Sequence, residues 1–171
     1  VTQAALVTGR EPTRWGNAHV TIVPYQAFDA ADRPFIVAVG NDAQWRRLCH
    51  AIGADALLAD PRFATNPGRV EHRGEVVTAL EAVFRARPAA EWMALLDAAG
   101  VPCAPVQSVG EALADPVAAG RGDAWRATGG AFGSVHTVPP PFRFSRTPAS
   151  LRRPPPALGQ HTGEITAGGW E

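Results

Sequence analysis

The chain has 171 residues, with 16 basic and 16 acidic side chains and no formal net charge. That length holds one domain, or one and a fraction, and is enough to bury a core without disulfide staples. The balanced charge offers no basic stripe for nucleic acid and no acidic tail for a charged partner, and the absence of lysine excludes Schiff-base and P-loop chemistry.

Two cysteines, Cys49 and Cys103, lie far apart with no Cys-x-x-Cys spacing, against a disulfide framework or zinc ribbon and in keeping with a reducing cytoplasm. No apolar run approaches the ~20 residues a bilayer requires, so no membrane partner is expected. Arg10, Glu11 and Arg14 follow only a brief apolar patch, unlike a signal peptide, and no initiator Met is present. The chain is expected to start inside a longer polypeptide.

Residues 1–24 read as an irregular arm punctuated by Gly9, Pro12, Gly16 and Pro24. Tyr25–Phe28 and Phe35–Val39 read as two strands of a hairpin, and the second, apolar throughout, is expected to be covered on both faces. A helix follows. Asn41 is its N-cap, Gln44 stands three residues on as in a capping box, and Asp42 occupies the first turn, where the helix dipole favours a carboxylate. Trp45, Leu48, Cys49 and Ile52 form its apolar stripe, and Gly53 is a natural C′ residue.

Leu57–Phe63 contains a short helix and an Asp60-Pro61 turn. Val70–Phe84 reads as one long helix with Val76, Val77, Leu80, Val83 and Phe84 on one face. Pro88 suits the first turn of the next helix, whose stripe is Trp92, Leu95 and Leu96 and whose end is Gly100. Val101–Val106 is extended because each proline biases its predecessor away from helix. Ser108 with Glu111 is a second capping box, for a helix to about Ala114. Ala124–Thr128 and Ser134–Val138 flank Gly129, Gly130 and Gly133 as a hairpin, and Pro139–Pro141 and Pro154–Pro156 bracket an extended tail. The fold class is α+β: short antiparallel strands and several helices over 25–138, an arm over 1–24 and a Pro-rich segment over 139–171. The arms are expected to pack on another domain or subunit.

The five histidines, 19, 50, 72, 136 and 161, show no metal-ligand spacing, so no metal site is expected. His161-x-x-Glu164 is a fragment of a metal motif in a Pro/Gly-rich tail. Cys49 and His50 are adjacent on a helix and do not face each other, which favours a buried structural cysteine over a nucleophile. Gly129–Gly133 lacks a following helix, so a turn is favoured over a phosphate cradle. Asn41 and Asp42 are the polar pair to single out, although capping alone explains both. Trp45 and Trp92 fit core stripes, whereas Trp15, Trp125 and Trp170 fall where an interface would use them.

Several blocks, in order, resemble the C-terminal portion of the class III CoA-transferases, the group of formyl-CoA transferase and carnitine CoA-transferase, with alpha-methylacyl-CoA racemase as a relative. They are Gly16-Asn17-Ala18-His19, Pro24-Tyr25-Gln26-Ala27-Phe28, Gly40-Asn41-Asp42-Ala43-Gln44-Trp45, Asp60-Pro61-Arg62-Phe63-Ala64-Thr65-Asn66 with Arg69 and Arg73, Glu91-Trp92, Ala99–Val106, Asp115-Pro116, Pro141–Ser145 and Leu158–Glu164. The resemblance implies a small α+β domain plus a segment returning to a large domain, in an interlocked homodimer. It implies a CoA thioester as substrate, a carboxylic acid as acceptor, no permanently bound cofactor, and a nucleophilic aspartate lying before Val1. No catalytic residue is therefore expected in this chain. Tyr25, Asn41 and Asp42 are implied as pocket-lining, substrate-binding residues, with Asp42 near the position of an acidic residue in the racemase branch. The Gly-rich loop of formyl-CoA transferase has no counterpart before Tyr25, where Gly16-Asn17-Ala18-His19 stands. The tail ends in Ala167-Gly-Gly-Trp-Glu171 in place of the usual apolar helix.

Three functions compete: part of an acyl-CoA:carboxylate CoA-transferase, inactive without its N-terminal part; part of an acyl-CoA racemase, which moves an α-proton by acid–base chemistry; and a non-catalytic remnant module, which would bind no CoA and be poorly soluble.

Overall fold

A β-hairpin organises the first part of the chain. β1 (Tyr25–Asp29) and β2 (Pro34–Ala38) pair antiparallel with Tyr25 opposite Ala38 and Phe28 opposite Phe35. β3 (Cys103–Pro105) adds to the other edge of β2, so the sheet order is β1-β2-β3, all antiparallel. This computed structural model describes residues 2–9, 11–115, 125–130, 132–138, 140 and 142–168. Ala124, Pro139, Pro141 and Trp170, used in the sequence reading, lie outside them.

α1 (Thr2–Thr8) corrects the expectation of an irregular arm. Its run of Gln, Ala and Leu favours helix, and Gly9 ends it at φ 68° with its N–H on Ala5 O. Leu6 and Val7 stay exposed. α2 (Asp42–Ile52) buries Trp45, Leu48, Cys49 and Ile52. It closes on Gly53 at φ 69°, with Gly53 N–H on His50 O and Ala54 N–H on Cys49 O, a Schellman end. α3 (Asp55–Ala59) and a 3₁₀ turn (Pro61–Phe63) follow.

The single helix expected over Val70–Phe84 is two, α4 (Asn66–Glu71) and α5 (Arg73–Phe84). His72 leaves the helical region at φ −101°, ψ 28°; its N–H closes α4 on Gly68 O and its carbonyl receives the Val76 N–H of α5. The Thr65 hydroxyl accepts from Gly68 N–H and starts α4 earlier than the apolar period implied. α6 (Ala89–Ala98) begins after Pro88, which is its N-cap. Its first N–H is taken by Asp32 Oδ1 from the hairpin loop at 2.7 Å. Leu95, expected in the core stripe, is exposed, while Trp92 and Leu96 are buried.

α5, α6 and α2 supply the core against one face of the sheet. Phe84 sits edge-on to Phe28, Phe35 and Trp92 at centroid distances of 5.2, 5.0 and 5.6 Å. Trp92 Nε1 donates to Phe84 O at 2.8 Å, so the one polar atom of that indole is satisfied inside the core. β2 alternates: Phe35 and Val37 are buried, whereas Ile36 and Ala38 are only half-buried. Its second face is thus less covered than its apolar sequence implied.

The contacts divide the chain into Val1–Val106 and Gln107–Glu171. In the second unit α7 (Val109–Ala114) carries the full capping box: Ser108 Oγ accepts from Glu111 N–H, and a Glu111 carboxylate oxygen from Ser108 N–H. β4 (Trp125–Thr128) and β5 (Ser134–Thr137) form the expected hairpin. Residues 142–158 hold no helix or strand, and α8 (Thr162–Gly168) is a short polar helix in the tail.

Candidate active-site lid

The hairpin register brings the start of β1 and the end of β2 to one end of the sheet. Tyr25 opens β1 there, and Val39 N–H donates to Pro24 O at 2.9 Å as β2 runs on toward α2. Tyr25 and the Asn41–Asp42 pair therefore share an end of the sheet, although no hydrogen bond joins their side chains. Tyr25 is 40% exposed and lies face to face with His19, centroids 5.4 Å apart at 13°.

Asn41 acts as the cap its sequence promised, its Oδ1 accepting from Gln44 N–H at 2.9 Å. The capping box is not reciprocal, however. The Gln44 side chain reaches one residue further back, to Gly40 N–H at 2.7 Å. Asp42 is more than a first-turn carboxylate: its Oδ1 accepts from Arg69 Nη2 at 2.8 Å. Arg69 has no exposed surface. It spends Nε on Val23 O (2.8 Å) and Nη1 on Phe63 O (2.9 Å), and its guanidinium lies over the Trp45 ring. An arginine keeps its charge in proteins, so this buried cation needs Asp42 as counter-ion.

The other residues of the Asp60–Asn66 block are latches. Arg62 grips Asp60 and Glu75, and this contact holds the Asp60 carboxyl below the usual carboxylate range. Asn66 Oδ1 accepts from Val23 N–H while its Nδ2 donates to Thr21 O. Arg73 Nη2 donates to His19 O and Val20 O, and its guanidinium lies 4.4 Å from the Trp15 ring centroid. Asn17 Oδ1 accepts from Ala27 N–H, and His19 N–H donates to Tyr25 O. Residues 15–24 are thus pinned to α4, α5 and β1.

Cys49 is buried, and burial pushes its thiol up to about 12, so it is no nucleophile. Cys103 is raised in the same direction by burial. His50 lies 3.8 Å from Asp55 on an exposed surface and does not engage Cys49. His161 Nδ1 meets Glu164 at 3.2 Å, an exposed i, i+3 pair. In the sequence Arg69 and Arg73 stand out only as parts of blocks, and His19 only as part of a block and as one of five histidines without metal-ligand spacing. Their roles rest on pairings across 27 to 54 residues that no local period carries.

The model of CoA-transferase family III matches residues 1–162. The chain belongs to this family. It is 38% identical over 165 residues to a succinate–glutarate CoA-transferase of Agrobacterium fabrum, covering 95% of this chain and 40% of that protein. It is 33% identical over 160 residues to a succinyl-CoA:glutarate CoA-transferase of Mus musculus, covering 94% and 37%. Among solved structures, a CaiB/BaiF family protein from Brucella suis superimposes with a TM-score of 0.74 at 35% identity, over 98% of this chain and 43% of that one. The chain thus spans about two fifths of the length of these relatives. The α+β fold and the class III CoA-transferase family expected from sequence are both what is found.

Proposed function

We propose that this chain is the small-domain portion of an acyl-CoA:carboxylate CoA-transferase, with a dicarboxylic acid as acceptor or donor. Relatives named for glutarate, oxalate, citramalate and mesaconate support the dicarboxylate class. In this reading an aspartate outside the chain attacks the thioester, passes through a mixed anhydride and carries CoA as an aspartyl thioester. This chain covers that site and shapes its acid pocket. Tyr25 lines the pocket by contact. Asn41 and Asp42 line it from the α2 start, with Asn41 Nδ2 and Asp42 Oδ2 outside the bonds that hold those side chains. The protein works as a cytoplasmic homodimer, without a permanently bound cofactor, and the isolated 171-residue portion is inactive.

The observation that carries transfer over racemisation is the Asp42–Arg69 pair. Asp42 Oδ1 accepts from the fully buried Arg69 at 2.8 Å, which commits this carboxylate to holding a buried guanidinium and not to relaying an α-proton. The test uses the polypeptide encoded by the whole reading frame, incubated with succinyl-CoA and glutarate. Mass spectrometry should detect glutaryl-CoA, and a 2-methylacyl-CoA incubated in D₂O should gain no α-deuterium. Deuterium uptake without CoA exchange would reverse the assignment.

A further inference from the structure

Residues 15–21 are exposed, Ala18 excepted, yet pinned, a combination that marks a preorganised surface. His19 is the centre of it. Its Nδ1 accepts from Thr21 N–H at 3.2 Å, which in the neutral ring places the proton on Nε2. Its backbone is gripped at both ends, N–H on Tyr25 O and carbonyl on Arg73 Nη2. The imidazole and the Tyr25 phenol lie parallel, and both are exposed. Behind the loop is Arg73, a cation with no carboxylate partner among the described residues, and its Nε and Nη1 are buried without a hydrogen bond. A half-buried guanidinium that meets only backbone carbonyls and the Trp15 ring leaves a local excess of positive charge, which favours an anion at the adjoining surface.

We infer that His19 receives a carboxylate of the acid substrate, through Nε2–H with the Tyr25 hydroxyl beside it, and that Arg73 is the positioning residue that fixes the His19 backbone and supplies the positive charge behind it. The inference rests on the transferase reading and names the group of the lid that recognises the acid. A hydrogen bond to a charged acceptor is worth about tenfold or more in affinity. Removing it should therefore appear in the binding of the acid.

The test uses the whole-frame polypeptide with succinyl-CoA and varied glutarate. His19→Ala should raise KM for glutarate about tenfold or more while kcat changes much less. His19→Gln, which keeps an N–H near the Nε2 position, should recover most of the loss. Arg73→Met should raise the same KM, with partial recovery in Arg73→Lys. An active enzyme whose KM for glutarate is unmoved by His19→Ala overturns the inference and leaves the transferase reading intact. If the wild type moves no CoA to any carboxylic acid, the transferase reading falls, and thermal melting decides the site alone. Glutarate raising Tm in the wild type and in His19→Gln but not in His19→Ala sustains a carboxylate site. An equal shift in all three, or none, overturns it.

Discussion

The two units differ in how they treat apolar side chains. In Val1–Val106 the large hydrophobics converge on one core, in which Phe84 and Leu80 of α5, Leu96 of α6 and Leu48 of α2 are fully buried beside Phe35 and Val37 of the sheet. In Gln107–Glu171 Ala127 alone among the described residues is a buried hydrophobic, while Val109, Leu113, Phe142, Phe144 and Leu158 are exposed. Phe142 and Phe144 touch each other at 5.1 Å and help to line an open cavity of about 620 Å³. The first unit is folded by its own burial. The second carries apolar surface of the kind that interfaces use, which supports the proposal that the return segment packs on a large domain or a second subunit.

That contrast can be broken by substitution. Phe84→Ala removes the ring on which three aromatics converge, and a loss of about 3–5 kcal/mol in denaturant stability is expected. Arg69→Met leaves Val23 O and Phe63 O without their donor and Asp42 without its cation. A cost of about 2–3 kcal/mol is expected, below the figure for a wholly buried pair because the Asp42 side chain is 39% exposed. Asp42→Asn, which keeps an oxygen acceptor, should cost less. Phe142→Ser should change stability by about 0.5 kcal/mol or less, while raising the solubility of the 171-residue chain, measurable by sedimentation as a smaller aggregated fraction. A large loss of stability from Phe142→Ser would mean that the second unit has a core of its own.

What was legible in the sequence was local. Asn41, the α2 stripe and Gly53 lie within thirteen residues and fixed both ends of that helix, because caps and period act over one or two turns. Ser108 with Glu111 was equally readable. The break at His72 was not, since the apolar period runs across it and the reason for the break is tertiary: α4 must deliver Arg69 to Val23 while α5 delivers Phe84 to the sheet. Asp42 illustrates the same limit at the site. Its position was readable as a capping-turn carboxylate, but the cation that commits it stands 27 residues away. The family blocks held the residues without their roles. Asn66, Arg69 and Arg73 prove to be the latches that hold residues 19–23 and the α2 start together, while Arg62 ties the Asp60 turn to Glu75 of α5.

The Arg69 side chain also has a bearing on time. Its bonds to Val23 and Asp42 span 46 and 27 residues, so they join the chain ahead of the hairpin to α4 and to the start of α2. Contacts that are absent from a folding transition state act mainly on the rate of escape from the native state. That behaviour is expected of Arg69, and a near-zero φ-value for Arg69→Met is the measurement that checks it. On that expectation one guanidinium slows the unfolding of the Val1–Val106 unit far more than it speeds its folding.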